Sequence, residues 1–512
     1  MGLGAAVVIL LIGVSLILLS WWNTYPLYLA SIGEYTFDKV YPAYWMGLAL
    51  SYLGALGIAA LSKDRRIRFA CCFLFVLLSY SSYFFYSFLP GPDSPYFTAL
   101  TLRYDKTGSL LPSNVIQDYY QWPLLFVLAR TVSSVMDLTI DASVKVLFVA
   151  WNLALAAGLF TYYLKRDITN AHMALMAYVV AVYGFLDWQF SPQTLGLVFL
   201  ICSLIILDRD SLSARLVLLV SYTALVLTHP FTPAFLILLF FFMFLWRPRR
   251  YGIILAVTSA IYLFYLAFRG IYLLEVVSAI TTAFLDQYQS IFMVVAREPL
   301  TRLDAIAQFV SRAITLSMWA LLASGTLMPL IRRRLPALDT SLITTTISYG
   351  AAGAVIPILG FRAIQVFFIP AAQGIQFLHR MKRVRPLIFI YLMISASLFP
   401  LALLHQNYQQ LNYASIHERS AADFLLIYEG SRNYVIGARI LIAQYMAALA
   451  PSEKPFTYGR PDQSWTDANY LLINAELMVS IHRRAGAQAP DIEGAYRIYD
   501  NSQSQIYFFS VR

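Results

Sequence analysis

The sequence predicts a mainly α-helical, polytopic transmembrane bundle of about 13 spans, followed by a small mixed α/β domain. Three observations predict it. Of the residues, 59% are hydrophobic and 12% charged, more apolar and less charged than a soluble domain, so much of the surface must face lipid. Apolar runs close to the ~20 residues that cross a bilayer recur along the chain, separated by short polar or Arg-rich turns. From about Gln406 the runs stop, and ten acidic and nine basic residues accompany ordinary mixed sequence.

In chain order the spans are expected near Leu3–Trp21, Tyr41–Leu61, Phe69–Leu89, Ala142–Leu164, Met173–Leu186, Ser191–Leu207 and Leu212–Leu227. They continue near Pro230–Trp246, Tyr251–Phe268, Gln308–Ile331, Ser341–Leu359, Ala363–Leu378 and Leu387–Leu404. Leu3–Trp21 has no basic flank or small-residue cleavage site, so a retained helix is expected. Cys71, Cys72 and Cys202 fall inside apolar runs without metal or disulfide spacing and read as small buried hydrophobes.

Tyr119–Leu138 is the ambiguous segment. Its first half is apolar, but Arg130, Thr131, Ser133, Ser134 and Asp137 crowd its second half. Charges inside a span are costly, so a helix lying along the interface is expected. Excluding it as a span puts Lys63–Arg68 and fourteen later Lys/Arg (165, 166, 209, 215, 247, 249, 250, 332–334, 380, 382, 383, 385) on one side. Five (Arg269, Arg297, Arg302, Arg312, Arg362) then lie on the other. The positive-inside rule makes the first side cytoplasmic. The expected protein is thus a multi-pass plasma-membrane protein with a cytoplasmic N-terminus and an extracytoplasmic C-terminal domain. Its net charge of +10 reads as an orientation signal, and no nucleic-acid partner is expected.

The domains are therefore expected at 1–405 (membrane) and 406–512 (soluble). In the second, Ile416–Tyr428 and Ala438–Leu449 have helical periodicity, and Tyr434–Ile436 and Tyr470–Ile473 look like strands. Tyr496–Tyr499, the turn residues Asp500-Asn501-Ser502, and Gln505–Val511 predict a hairpin.

Two outer segments, 90–141 and 269–307, are too long for simple turns, and such loops are commonly functional. The first opens Pro90-Gly91-Pro92-Asp93-Ser94-Pro95-Tyr96-Phe97. A carboxylate at the bilayer rim can take a proton from a hydroxyl, although an Asp beside Pro and Gly also starts turns. Asp187, His229 and Arg362 are expected on the same side, each where a span meets the interface. The Arg fork suits a phosphate; snorkelling to headgroups is its other use. No P-loop, dinucleotide glycine fingerprint, Cys/His cluster or Ser-His-Asp spacing is present in the sequence, so no cofactor is expected and a divalent cation is not indicated.

Several short motifs resemble GT-C type glycosyltransferases, multispanning enzymes that use polyprenyl-phosphate-linked sugars, and in particular archaeal members. They are Gly91-Pro92-Asp93-Ser94, Asp105-Lys106-Thr107-Gly108-Ser109, Tyr120-Gln121-Trp122-Pro123, Ser191-Pro192-Gln193-Thr194 and Thr228-His229-Pro230-Phe231-Thr232. Phe361-Arg362 with Pro370-Ala371-Ala372, and the closing Tyr499-Asp500-Asn501, complete the set. The resemblance implies that Asp93 is the base or acceptor-positioning acid, Asp187 a second acid, and Arg362 the holder of the lipid-linked phosphate. It implies a polyprenyl-phosphate sugar donor, membrane lipid around the fold, and a glycan, lipid or protein acceptor. The ring faces of Tyr96, Tyr104 and Trp188, with His229, Arg103 and Lys106, are the remaining substrate-binding candidates. Many relatives carry His four residues after the loop Asp, where this chain has Phe97. A non-catalytic membrane subunit of the same fold, and a lipid or sugar transporter, are the competing readings. Against the transporter, no pair of matching halves is visible.

Overall fold

Long apolar runs can cross lipid only as helices, because every backbone N–H and C=O must be paired within the segment. The computed structural model describes residues 2–30, 42–81, 94–108, 122–166, 170–183, 190–207, 209–269, 302–331, 337–352, 363, 366–371, 374, 375, 378, 381, 384–408, 421 and 424. It also describes strand residues 434–437, 456–457, 470–474, 496–500 and 504–508. The chain is a mainly α-helical, membrane-embedded protein. Its helices are α1 (Leu3–Ala30), α2 (Pro42–Leu61), α3 (Arg65–Ser79), α4 (Ser94–Thr107), α5 (Leu124–Met136), α6 (Ile140–Lys165) and α7 (Ala171–Tyr183). They continue as α8 (Pro192–Ile206), α9 (Leu212–Val226), α10 (Thr232–Trp246), α11 (Pro248–Arg269), α12 (Arg302–Ile331), α13 (Ala337–Ala352) and α14 (Arg385–Tyr408).

Among the described residues, five helical stretches are long and apolar enough to cross a bilayer: Leu3–Trp22, Ala43–Leu61, Ile140–Lys165, Pro248–Phe268 and Ala305–Leu327. Six shorter apolar helices accompany them. Their outer faces carry exposed Leu11, Leu18, Ile253, Phe264 and Phe309, where a soluble protein would place charges.

The first two helices pack antiparallel through small residues. Gly13 opposes Ser51 and Gly47, and Gly54 opposes Leu10, so the backbones approach closely, as small residues allow in membranes. Charge shifts one boundary. The periodic run suggested a start at Phe69, but α3 begins at Arg65, where Asp64 Oδ1 accepts the Arg66 N–H at 2.8 Å, and long basic side chains can extend to the interface.

The helix ends sort into two rims. At one, Arg68 Nε donates to Ser62 O (2.8 Å), Lys165 Nζ to Ile205 O (2.8 Å) and Arg250 Nη2 to Leu207 O (3.1 Å). Arg166 Nε lies 3.9 Å from the fully buried Asp339, which accepts the Tyr162 hydroxyl at 2.7 Å. At the other, the Phe190 N–H reaches Ser94 Oγ (3.1 Å) and the Leu124 N–H reaches Leu227 O (3.2 Å). There too, Tyr262 and Tyr349 donate to Pro230 O (2.6 Å) and Phe231 O (2.8 Å).

The segment 90–141 contains more structure than a loop. Helix α4 occupies its first part and α5 its second. The 13 residues of α5 span ~20 Å, short of a bilayer core. One face is buried through Leu125, Phe126 and Ala129, while Thr131 and Ser134 are exposed. It stops at Asp137, whose φ of 52° is left-handed, with Ser133 Oγ donating to Leu138 O at 2.6 Å. Thr139 then caps α6 by accepting the Ala142 N–H.

Toward the C-terminus five strands form one sheet: β1 (Tyr434–Gly437), β2 (Phe456–Thr457), β3 (Tyr470–Asn474), β4 (Tyr496–Asp500) and β5 (Ser504–Phe508), in the order β2-β1-β3-β5-β4. β1 pairs parallel with β2 and β3; β5 pairs antiparallel with β3 and β4. The expected closing hairpin is β4–β5, with an irregularity between Arg497 and Tyr499. The helical periodicities at Ile416–Tyr428 and Ala438–Leu449 lie outside the described residues apart from positions 421 and 424.

Candidate functional site at the rim of Ser94, Phe190 and His229

Of the residues singled out from sequence, Asp93, Asp187, Trp188 and Arg362 lie outside the described residues. The nearest described residues in sequence are Ser94, Phe190 and Ala363, and Val366 beyond Ala363 lines a cavity with Phe231 and Thr232. Ser94 holds the Phe190 N–H, and Phe190 stacks on Trp151 with ring centroids 5.4 Å apart. Ser191 caps α8, its Oγ accepting the Thr194 N–H, with Pro192 at the first helical position, a place where the missing proline N–H costs nothing.

His229 is almost wholly buried beside that helix start. Its Nδ1 accepts the Phe231 and Thr232 N–H groups at 3.3 and 3.2 Å and lies 2.9 Å from Thr232 Oγ1. An accepting Nδ1 has no proton, which leaves the proton of the neutral ring on Nε2. Phe231, the capping position of α10, offers no side-chain oxygen, so the imidazole serves the first N–H groups of that helix in the way Ser or Asp usually does. Sequence had named no partner for His229; Thr228 and Thr232 around a His-Pro pair are the signal that a helix starts there.

The aromatic and basic candidates share α4 but differ in exposure. Tyr96 is buried, edge-on to Phe97 at 5.4 Å, and so belongs to the packing under the rim. Tyr104 is half-buried and its ring is covered by the Arg130 guanidinium at 5.1 Å, while Arg130 Nε is 3.5 Å from Asp105. Thus α4 and α5 are clamped by a cation–π contact with an ion pair beside it. Arg103 is half-buried and Lys106 exposed.

Two spaces adjoin the rim. A cavity of about 20 Å³ among Gln193, Phe231, Thr232, Tyr349 and Val366 has room for about one water, not a sugar. A groove of about 470 Å³ runs between α9 and α11, lined by Thr223, Val226, Leu227, Ala260, Ile261, Phe264 and Tyr265.

No protein-family model and no curated protein matches the chain. What the rim can do must therefore be argued from its own groups. Among the described residues no three or more His, Cys, Asp or Glu side chains gather as a metal site would require. The rim does offer buried hydrogen-bonding groups, the half-buried Arg103 and exposed Lys106 on α4, and an apolar groove two residues from His229.

Proposed function

We propose that the protein is a GT-C type membrane glycosyltransferase that moves a sugar from a polyprenyl-phosphate donor to an acceptor on the outer face of the membrane. The observation that carries this reading is that Ser94, next to Asp93, bonds Phe190, three residues after Asp187, while Val366, four residues after Arg362, lines a cavity with Phe231 and Thr232, the two residues whose N–H groups His229 accepts. The basic rim supports the orientation, with its side at the cytoplasm and thirteen spans in all. The N-terminus is then cytoplasmic, and the sheet from Tyr434 onward belongs to an extracytoplasmic α/β domain at the plasma-membrane surface.

In the reaction an acceptor hydroxyl attacks the anomeric carbon. Asp93 takes its proton, and the bond from that carbon to the phosphate oxygen breaks with inversion. Arg362 offsets the charge gathering on the departing phosphate. The groove between α9 and α11 suits an isoprenoid chain, because its wall is almost entirely apolar and it begins at Leu227. Asp93→Asn should lower turnover by about 10² to 10⁴ while sparing donor binding, and Arg362→Ala should lose about 10² to 10³ and weaken binding too. Unchanged sugar transfer by Asp93→Asn would remove the proposed base.

One observation favours a second reading, a non-catalytic subunit of the same fold. Phe97 stands where many relatives of the resembling family carry His, and it is buried against Tyr96 and Phe126. Donor binding without any transfer, in a chain otherwise intact, is the outcome that reading expects.

A further inference from the structure

At the basic rim the hairpin tip between α8 and α9 and the tip between α10 and α11 are tied together by one side chain. Arg250 Nη2 donates to Leu207 O at 3.1 Å, and its Nε lies 3.9 Å from Asp210. Asp210 also accepts Arg215 Nη2 at 2.9 Å. In sequence the two tips carry Arg209, Arg215, Arg247, Arg249 and Arg250 against Asp208 and Asp210. Asp210, Arg215 and Arg250 are therefore engaged with one another. The guanidinium groups of Arg209, Arg247 and Arg249 are exposed and have no partner among the described residues.

Their surroundings are apolar. Trp246, Leu245 and Leu212 are 61%, 59% and 74% exposed beside them. A tryptophan next to unengaged cations at a helix end is the pattern of a headgroup-level interface, with the ring at the acyl boundary and the charge in the phosphate layer. Guanidinium forks match phosphate oxygens in geometry and charge. We propose that these joined tips form a binding site for the phosphate of an anionic phospholipid in the adjacent leaflet, held by Arg209, Arg247 and Arg249. The site rests on the membrane-embedded fold and not on sugar transfer.

The tip at Lys63–Arg68 provides the control. Lys63, Arg65 and Arg66 are also exposed cations, but they sit on a single turn with Asp64 engaged as a helix cap. The test uses the full chain in neutral detergent micelles doped with phosphatidylglycerol or phosphatidylcholine, with retained lipid counted by native mass spectrometry. Phosphatidylglycerol should be retained in preference to phosphatidylcholine. The triple substitution R209Q/R247Q/R249Q should weaken retention on the order of a hundredfold, about fivefold per cation, while K63Q/R65Q/R66Q should change it by less than about fivefold. Equal loss in both triples would overturn the proposal by showing diffuse attraction, as would equal retention of the two lipids. Displacement of the lipid by inorganic phosphate at matched concentration would also overturn it, since a simple ion site would then suffice. Should the triple variant fail to fold, Arg249→Gln alone carries the test, with about fivefold weakening expected and no change overturning the site.

Discussion

Replacing Gly54 by alanine should loosen the α1–α2 pair. A Cβ built there lies 2.6 Å from Leu10 N and 2.7 Å from Leu10 Cα and Cβ. Ordinary carbon contacts optimise at ~3.5–4.0 Å, so the helices must separate by about 1 Å. No side chain can rotate aside, because the nearest obstacles are backbone atoms. Overpacking of this kind costs about 1–3 kcal/mol, offset by the ~0.5–1 kcal/mol that alanine gains over glycine within a helix. The net expectation is destabilisation of about 0–2.5 kcal/mol. Gly47→Ala adds to it, since a Cβ there meets Gly13 O at 2.7 Å. Gly252 is the comparison, because its added Cβ meets only Phe244 ring carbons at 3.4 and 3.7 Å, an ordinary contact. Thermal unfolding of the purified variants in detergent, followed by tryptophan fluorescence, should place Gly54→Ala below the parent and Gly252→Ala level with or above it. If the two variants shift alike, close backbone approach does not hold α1 against α2.

Three further outcomes follow from the same geometry. Asp339→Ala removes the buried carboxylate from beside Arg166 and Tyr162 and should cost about 3–5 kcal/mol, read as a large fall in thermal midpoint. Asp339→Asn, which keeps an acceptor for Tyr162, should cost less. His229→Ala withdraws the acceptor from the first N–H groups of α10 and should cost about 0.5–2 kcal/mol, with His229→Asn recovering part of it in the same assay. A cysteine at position 249 should resist an impermeant thiol reagent added to intact cells and react once the membrane is opened; labelling from outside would reverse the proposed orientation.

Helix positions were legible for several uninterrupted apolar runs that end in charge or proline. Leu212–Leu227 and Ala142–Leu164 match α9 and α6 to within two residues, because lipid imposes one solution on such runs. Helix α4 was not legible: Ser94–Thr107 mixes Arg103, Asp105 and Lys106 with aromatics, and its buried face is set by Phe126 and other tertiary neighbours. Of the described candidates, His229 and the α4 residues Tyr96, Arg103, Tyr104 and Lys106 were legible in sequence only as residue types. The wiring of the two rims was not, since the Ser94–Phe190 bond at one joins positions 96 apart and the Tyr162–Asp339 bond at the other joins positions 177 apart, and no local pattern encodes such partners. Asp339 precedes the expected span at Ser341 by two residues, yet it is fully buried, a depth at which an ionisable residue requires partners.

Helix α13 is fastened near both ends, by Asp339 to Tyr162 and by Tyr349 to Phe231. The ten-position separation of the fastenings measures ~15 Å along a helix, and a helix resists compression far better than a loop does. It therefore acts as a strut between the basic rim and the turn that carries His229. A displacement of Asp339 along the helix axis by even an ångström is poorly absorbed within α13, so it should appear at the opposite rim as movement of Phe231 or as a broken tyrosine hydrogen bond.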